Sequence, residues 1–427
     1  MNSVGTSLDG ITLLRYAHIY RNRTSGGAEQ YLKQLNDGLL ARHRMTILQM
    51  HLVSGESARS TVEVEVETRG RGKIIWIPVC LHHEERSVRS LPRRLRQLVP
   101  RRTVATPTDK RSVYSTIRSV LGNSCGHLRY SAMILSEVLV DLLDEYNVDL
   151  IILHWLSYDV GTLLSNAARR RIPYAIVHHF DNGRLRTARA RRWAEKAVAL
   201  GGVSNRNVPP HLQDSYVNLS DAVDVDFFSP PQAQTAVRPQ GFVVLLPSRI
   251  VAGKGHADLL LAAKRCVETG ANLSVVFAGA VESELLAAEL EKKASLWGLR
   301  DRVFFLGQLT PAGLRDWYAA SDVVVLPSSS EGLGRVLLEA QAMEKPVIAY
   351  ASGGVPDAVI PNKTAFLVKT GDQAALADRI KHLLDNPAER LVMGKSGRKF
   401  VLEHFSIPAL VERHEHFYSK LLSAKAQ

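Results

Sequence analysis

"DVVVLPSSSEGLGRVLLEAQAM" occupies residues 322–343. Its first part, Val323–Leu326, is continuously apolar and stops at Pro327. That is the pattern of a strand buried on both faces, as in a parallel sheet. A serine loop follows, then Glu331, then a Gly-x-Gly turn, then an apolar run that predicts a helix from about Gly334. Strand, loop and helix in this order make one step of a βαβ series. A helix start prefers Ser, Thr, Asp or Asn at its cap. Here two glycines and two carboxylates, Glu331 and Glu339, frame the turn instead.

Working outward, the same pattern repeats on both sides. "FVVLLPSRI" (242–250) and "LSVVFAGA" precede it, each followed by a helical pattern, and "KPVIAY" and "AFLVK" come after it. An earlier series comprises "ITLLRYAHI" (11–19), "MTILQMHLV", "KIIWIPV", "DLIILHWL" (149–156) and "PYAIVHHF" (173–180). Between the two series lies 227–241, aperiodic and carrying Pro230, Pro231 and Pro239, which reads as a linker. The expected fold is therefore α/β, with two Rossmann-like domains. The N-terminal domain covers 1–226 and the C-terminal domain 242–406. In such sheets ligands bind at the carboxyl ends of the strands. The last pattern, 407–427, predicts an amphipathic helix.

Composition sets the bounds. The 427 residues are 45% hydrophobic and 22% charged, ample for more than one core. Cys80, Cys125 and Cys266 are widely separated and form no Cys-x-x-Cys, so neither a disulfide framework nor a zinc site is expected. The first residues lack a basic segment followed by a long apolar one, and no apolar run reaches the roughly 18 residues of a membrane span. These features predict a cytoplasmic protein. The net charge is +12, and 86–118 holds ten basic residues against one acidic residue, Asp109. A second basic stretch is 183–192. Such charge fits phosphates, nucleic acid or an anionic membrane, or simply a solvated face.

The chemistry concentrates in three places. Gly332 and Gly334 let backbone approach a ligand closely, and the helix N-terminus after them attracts phosphate. Glu331 repels phosphate but accepts two hydrogen bonds from a diol, and Glu339 suits a second diol. Phosphate between hydroxyl-bearing groups describes a nucleotide sugar. Two solvent-facing glutamates are the plain alternative. In "PSRIVAGKGHADLL" (247–260), Arg249 and Lys254 place two cations beyond a strand end beside Gly253 and Gly255, suiting a diphosphate. This is no P-loop, because Ser248 and Gly255 stand where that motif needs Gly and Ser or Thr. In "SGGAE" (25–29), Gly26 and Gly27 join the first strand to the first helix, where backbone N–H groups meet anions.

Taken together, these residues resemble the retaining, nucleotide-sugar-dependent glycosyltransferases of the GT-B fold, the group 1 type. The resemblance covers nearly the whole chain and is strongest over 240–372. It implies two Rossmann-like domains facing across a cleft, with the C-terminal helix crossing back to the N-terminal domain and hinge closure on the donor. It implies that Glu331 and Glu339, the E-x7-E pair, hold donor-sugar and ribose hydroxyls, and that Arg249 and Lys254 grip the diphosphate. Leu306 and Gly307 match the strand end that reads the base, "GGVPDAV" (353–359) a loop beside it, and Gly26 and Gly27 the loop that closes on phosphate and acceptor. Gly332, Leu333, Gly334 and Arg335 complete the donor loop. His179, favoured over His178 by spacing from Pro173, matches the histidine near the reacting carbon. The catalytic set is then His179, Glu331, Arg249 and Lys254. No cofactor and no metal are implied. The partners are a nucleoside-diphosphate sugar, a sugar or lipid-linked acceptor and an anionic membrane, with no nucleic acid. The expected setting is the cytoplasm, with a peripheral place at the inner membrane face open, in cell-surface polysaccharide, glycolipid or glycoside synthesis.

The chain departs from the family pattern in three places. Asp221-Ala222 stands where the family often has Asn-Gly, Leu333 where an aromatic is usual, and Arg335 where the residue is often apolar. "DVD" (224–226) looks like a metal-binding motif of a different transferase fold but matches the family's hinge-proximal stretch. His154, alone in an apolar strand, reads as structural. Two rivals remain: a nucleotide-sugar epimerase of similar fold, which wants further acid and base carboxylates, and a non-catalytic basic protein binding membrane or nucleic acid, which leaves Glu331, Glu339, Arg249 and Lys254 unexplained.

Overall fold

The structure is a computed structural model. It describes residues 7–19, 27–53, 65–80, 140–154, 160–178, 188–204, 208, 210–213, 216–231 and 238–423. The basic segment 86–118 lies outside these residues, as do Cys125 and the middle of the 227–241 stretch.

The chain divides into two compact units. One comprises 1–177, 184–200 and 415–427, the other 178–183 and 201–414.

The strands of the second series form a six-stranded sheet. They are β9 (Phe242–Pro247), β10 (Leu273–Ala278), β11 (Val303–Phe305), β12 (Val323–Leu326), β13 (Val347–Tyr350) and β14 (Ala365–Val368). Their spatial order is β11-β10-β9-β12-β13-β14, and every neighbouring pair is parallel. Side chains alternate between faces along a strand, so continuous apolar strands feed two cores at once. Val244 and Leu246 enter one core, with Leu259, Leu290 and Ile380. Val243 and Leu245 enter the other, with Tyr318, Leu337 and Val401. This explains why β9, β10, β12 and β13 are buried throughout. The order also places a switch point between β9 and β12, because successive strands are added outward from β9 on one side and from β12 on the other. Loops leaving those two strands diverge, and the crevice between them is where ligands bind in such sheets.

The first series builds an eight-stranded sheet. Its strands are β1 (Thr12–Ile19), β2 (Thr46–Val53), β3 (Glu65–Arg69), β4 (Gly72–Cys80), β5 (Leu150–Leu153), β6 (Tyr174–His178), β7 (Ala199–Gly202) and β8 (Tyr216–Asn218). Their order is β3-β4-β2-β1-β5-β6-β7-β8. β3 runs antiparallel to β4 at one edge. Sequence reading missed this strand, although Val and Glu alternate over 62–67. It was easily overlooked because the alternation is inverted. Val66 faces solvent while Glu67 accepts from Trp76 Nε1 at 2.9 Å and Arg69 Nε at 2.7 Å. β7 and β8 were also missed, being short and weakly patterned.

The last helix spans Ile407–Ser423. Its second half belongs to the first unit. There Tyr418 Oη accepts a hydrogen bond from Arg15 Nη2 at 3.1 Å, and Glu415 pairs with Arg42 at 3.0 Å and His43 at 2.8 Å. Arg15 is fully buried and also donates to Asn36. No helix of the described residues is long and apolar enough to cross a membrane.

Candidate functional site

Three loops leave the carboxyl ends of β9, β12 and β13 and stack backbone against backbone. The β9 loop touches the β12 loop at two glycines. Gly255 has a φ of 76°, and a Cβ there would lie 2.0 Å from the Pro327 carbonyl oxygen. Gly253, at φ 86°, has its carbonyl oxygen 2.9 Å from the Ser329 N–H that donates to it. The β13 loop closes from the other side. A Cβ on Gly353 would stand 1.9 Å from the Glu331 carbonyl oxygen, and one on Gly354 1.8 Å from that of Gly332. Gly354 N–H donates to the Glu331 carbonyl at 3.1 Å. These glycines fix where Glu331 stands.

Lys254 and Glu331, 77 residues apart in sequence, meet across this stack. Lys254 Nζ lies 2.6 Å from Glu331 Oε1, with the side chains 22% and 15% exposed. The second Glu331 oxygen has no partner among the described residues. Two helices start from these loops. The helix His256–Glu268 starts behind Gly255, and Arg335–Ala342 starts behind Gly334, which sits at φ 85° without a side-chain cap. Uncapped N-termini leave N–H donors and a positive partial charge for an anion.

Arg249 lies farther out, 58% exposed and paired with Glu282 at 2.5 Å. Sequence reading gave no notice of Glu282, which follows β10 and shows no motif. Leu306 N–H bonds the Phe277 carbonyl at 2.9 Å, and the Gly307 carbonyl accepts from Gly279 N–H at 2.8 Å. Both residues therefore sit at the carboxyl end of β10 and β11. The Leu333 side chain packs in the core with Leu326 and Leu337, which leaves its backbone to the loop. Of the N-terminal candidates, Gly27 is the first residue of the helix Gly27–Arg42. Gly26 and His179 lie outside the described residues.

Glu339 is nearly buried on the helix Arg335–Ala342. It accepts from Tyr318 Oη at 2.9 Å and from Arg335 Nε at 3.4 Å. Burial raises its pKa, and Arg335 and Tyr318 oppose that rise. The same burial, with Glu339 adjacent, pushes the Tyr318 hydroxyl far up, so it remains a donor. Arg335 Nη1 also reaches Asp221 Oδ1 at 3.1 Å. Asp224 of the "DVD" stretch accepts from the backbone N–H groups of Phe227 at 3.0 Å and Asp226 at 3.2 Å, bracing its own turn. Among the described residues, no group of three His, Cys, Asp or Glu side chains is placed to hold a metal ion.

The sequence model of glycosyl transferases group 1 matches residues 231–400, the stretch carrying this whole stack. D-inositol 3-phosphate glycosyltransferase of Corynebacterium diphtheriae is 30% identical over 302 residues, covering 62% of this chain and 69% of that protein. The chain belongs to the group 1 glycosyltransferases. Within the family, a GDP-mannose-dependent monoacylated alpha-(1-6)-phosphatidylinositol monomannoside mannosyltransferase of Corynebacterium glutamicum is 34% identical over 218 residues, 47% of this chain and 55% of that protein. The chain spans about half the length of most of the curated relatives it matches. Solved structures show the same fold. A glycosyltransferase from Rickettsia africae superposes with a TM-score of 0.71 at 17% identity, covering 96% of this chain and 98% of that one. HepE from Anabaena, solved in complex with UDP, gives 0.66 at 16% identity, covering 96% and 99%. The GT-B expectation for the fold thus holds for this family member.

Proposed function

We propose that this protein transfers a hexose from a nucleoside-diphosphate sugar to an acceptor hydroxyl, with retention at the anomeric carbon and without a metal ion. The observation that carries the reading is the Lys254–Glu331 pair at the β9/β12 switch point, flanked by two helix N-termini. Lys254, the helix ends and Arg249 suit the diphosphate, while the free Glu331 oxygen suits the hydroxyls of the sugar attached to it. Glu339 takes the ribose diol, and the Leu306–Gly307 backbone reads the base. The two helix ends and Lys254 complement the charge that grows on the leaving phosphate, and such preorganised stabilisation lowers the barrier. With retention, the departing phosphate takes the acceptor proton. His179 and the Gly26–Gly27 loop belong to the acceptor side of this reading.

The Anabaena structure holds UDP and the Corynebacterium glutamicum relative is named for GDP-mannose. They support the donor class and leave the base to experiment. The acceptor is a sugar or lipid-linked sugar, and the enzyme works in the cytoplasm at the inner membrane face in the synthesis of a cell-surface polysaccharide, glycolipid or glycoside. The test is slow hydrolysis of donor over a panel of nucleotide sugars, with and without EDTA. Release of nucleoside diphosphate from one of them, unchanged by EDTA, is expected. Release from none, or steep loss in EDTA, overturns the reading.

A further inference from the structure

Two charged side chains from distant parts of the second unit meet in space. Asp221 and Arg335 are 114 residues apart, yet their side chains bond at 3.1 Å. Both are mostly shielded, at 12% and 11% exposure. The two form a unit, because removing Arg335 takes from the shielded Asp221 carboxylate its bonded cation, and removing Asp221 takes from the guanidinium one of its carboxylates. The unit reaches further, since Arg335 Nε bonds Glu339 Oε1 while Tyr318 Oη holds Oε2. One guanidinium therefore serves two carboxylates. Asp221 is itself tied in place by Ala222 N–H at 2.7 Å, and Arg413 lies by its backbone carbonyl. Burial raises the pKa of both carboxyls and Arg335 opposes it in both.

We propose that Arg335 is a positioning residue: anchored by Asp221, it fixes the Glu339 carboxylate so that the oxygen lone pairs not used by Arg335 and Tyr318 remain for a ribose diol. This rests on the donor-site reading above. A carboxylate offers about four lone-pair sites, and the two protein donors leave room for a bidentate diol. An apolar residue at 335 would leave Glu339 with Tyr318 alone, free to rotate and to take up a proton. Arg335 thereby acts on nucleotide selection through Glu339.

The experiment measures affinity for UDP, GDP and ADP and for their 2′-deoxy forms, using the tightest-binding pair. The readout is the ratio of ribo to deoxy affinity, which a merely structural role would not move. Wild type is expected to prefer the ribo form by about tenfold or more, the worth of one charge-assisted hydrogen bond. Arg335→Leu is expected to bring the ratio close to one, with ribo affinity falling and deoxy affinity unchanged. Asp221→Asn, which keeps Arg335 but loosens its anchor, should lower the ratio by about threefold, and it serves if Arg335→Leu does not fold. Equal weakening of both forms, or an unchanged ratio in a folded variant, overturns the proposal. Lys254→Ala separates the two levels, since it should weaken ribo and deoxy forms alike. If it does so while Arg335→Leu leaves the ratio intact, Arg335 alone loses its role. If wild type binds none of the nucleotides, the donor-site reading falls and this proposal with it.

Discussion

At the residue scale the site is a small set of charges whose partners decide their worth. Lys254 is mostly shielded and pairs with the Glu331 carboxylate. Removing the amine in Lys254→Ala is expected to cost about 1.5–3 kcal/mol of leaving-group stabilisation. That lowers kcat as well as donor affinity, because charge on the phosphate grows toward the transition state. Arg249→Ala should cost less, since the side chain is more than half exposed and shared with Glu282. Steady-state kinetics on both variants checks the order, and equal losses would contradict it. Glu331→Gln should reduce turnover far more than nucleoside-diphosphate affinity, which calorimetry and kinetics together resolve.

His256 supplies a second residue-scale test, on stability. It lies directly after Gly255, almost fully buried against Phe277, with neither ring nitrogen well bonded. Burial drives its pKa from 6.5 down to about 4, with nearby Lys254 adding and the Ser248 backbone opposing. The unfolded chain therefore binds a proton that the folded chain refuses between these values. Stability is full above about 6.5 and is lost as pH falls toward 4. His256→Phe should flatten that loss, and denaturant melts between pH 7 and pH 4 measure it.

At the scale of elements, strands and helices were legible wherever burial imposed a period. β9, β10, β12 and β13 are apolar end to end because both faces are covered, and that run is visible in any one of them. The helix start at Gly334 was equally plain from Glu331-Gly-x-Gly. The partners of the charged residues were not legible. Glu282 carries no motif and Asp221 stands out only as a departure from Asn-Gly, and what pairs them with Arg249 and Arg335 is the fold bringing distant loops together. The role of Gly353 and Gly354 was only half readable. The loop they open was placed beside the base, but its contact with the Glu331–Gly332 backbone depends on atoms that a sequence does not position. Because a Cβ at Gly354 would overlap the Gly332 oxygen, Gly354→Ala must push the two loops apart. Activity should fall well beyond the loss in melting temperature, and a variant with wild-type turnover would show that the stack does not fix Glu331.

At the scale of the whole molecule, two sheets account for the fold class, and the basic stretch 86–118 is a large feature of the sequence that lies outside the described residues. If it docks an anionic membrane, co-sedimentation with anionic vesicles should be strong at low salt, fade as salt screens the charge, and weaken when Arg93, Arg94 and Arg96 become Ser. Equal recovery in the supernatant with anionic and neutral vesicles would leave a soluble acceptor. The first unit offers a stability test of its own. Tyr418→Phe removes an acceptor of the fully buried Arg15 and should lower unfolding free energy by about 1–3 kcal/mol, read from denaturant titration.

That helix has a consequence for synthesis. Residues 415–423 pack with Arg15, Arg42 and His43, which are made long before them, while everything between 201 and 414 forms its own unit. On the ribosome, domains generally complete themselves in the order they emerge. Here the order is reversed: the earlier-made part of the first unit waits, with Arg15 uncovered, until residues 415–423 leave the exit tunnel. Nascent chains stalled just short of Glu415 should therefore hold a protease-resistant second unit beside a first unit that is still open to cleavage.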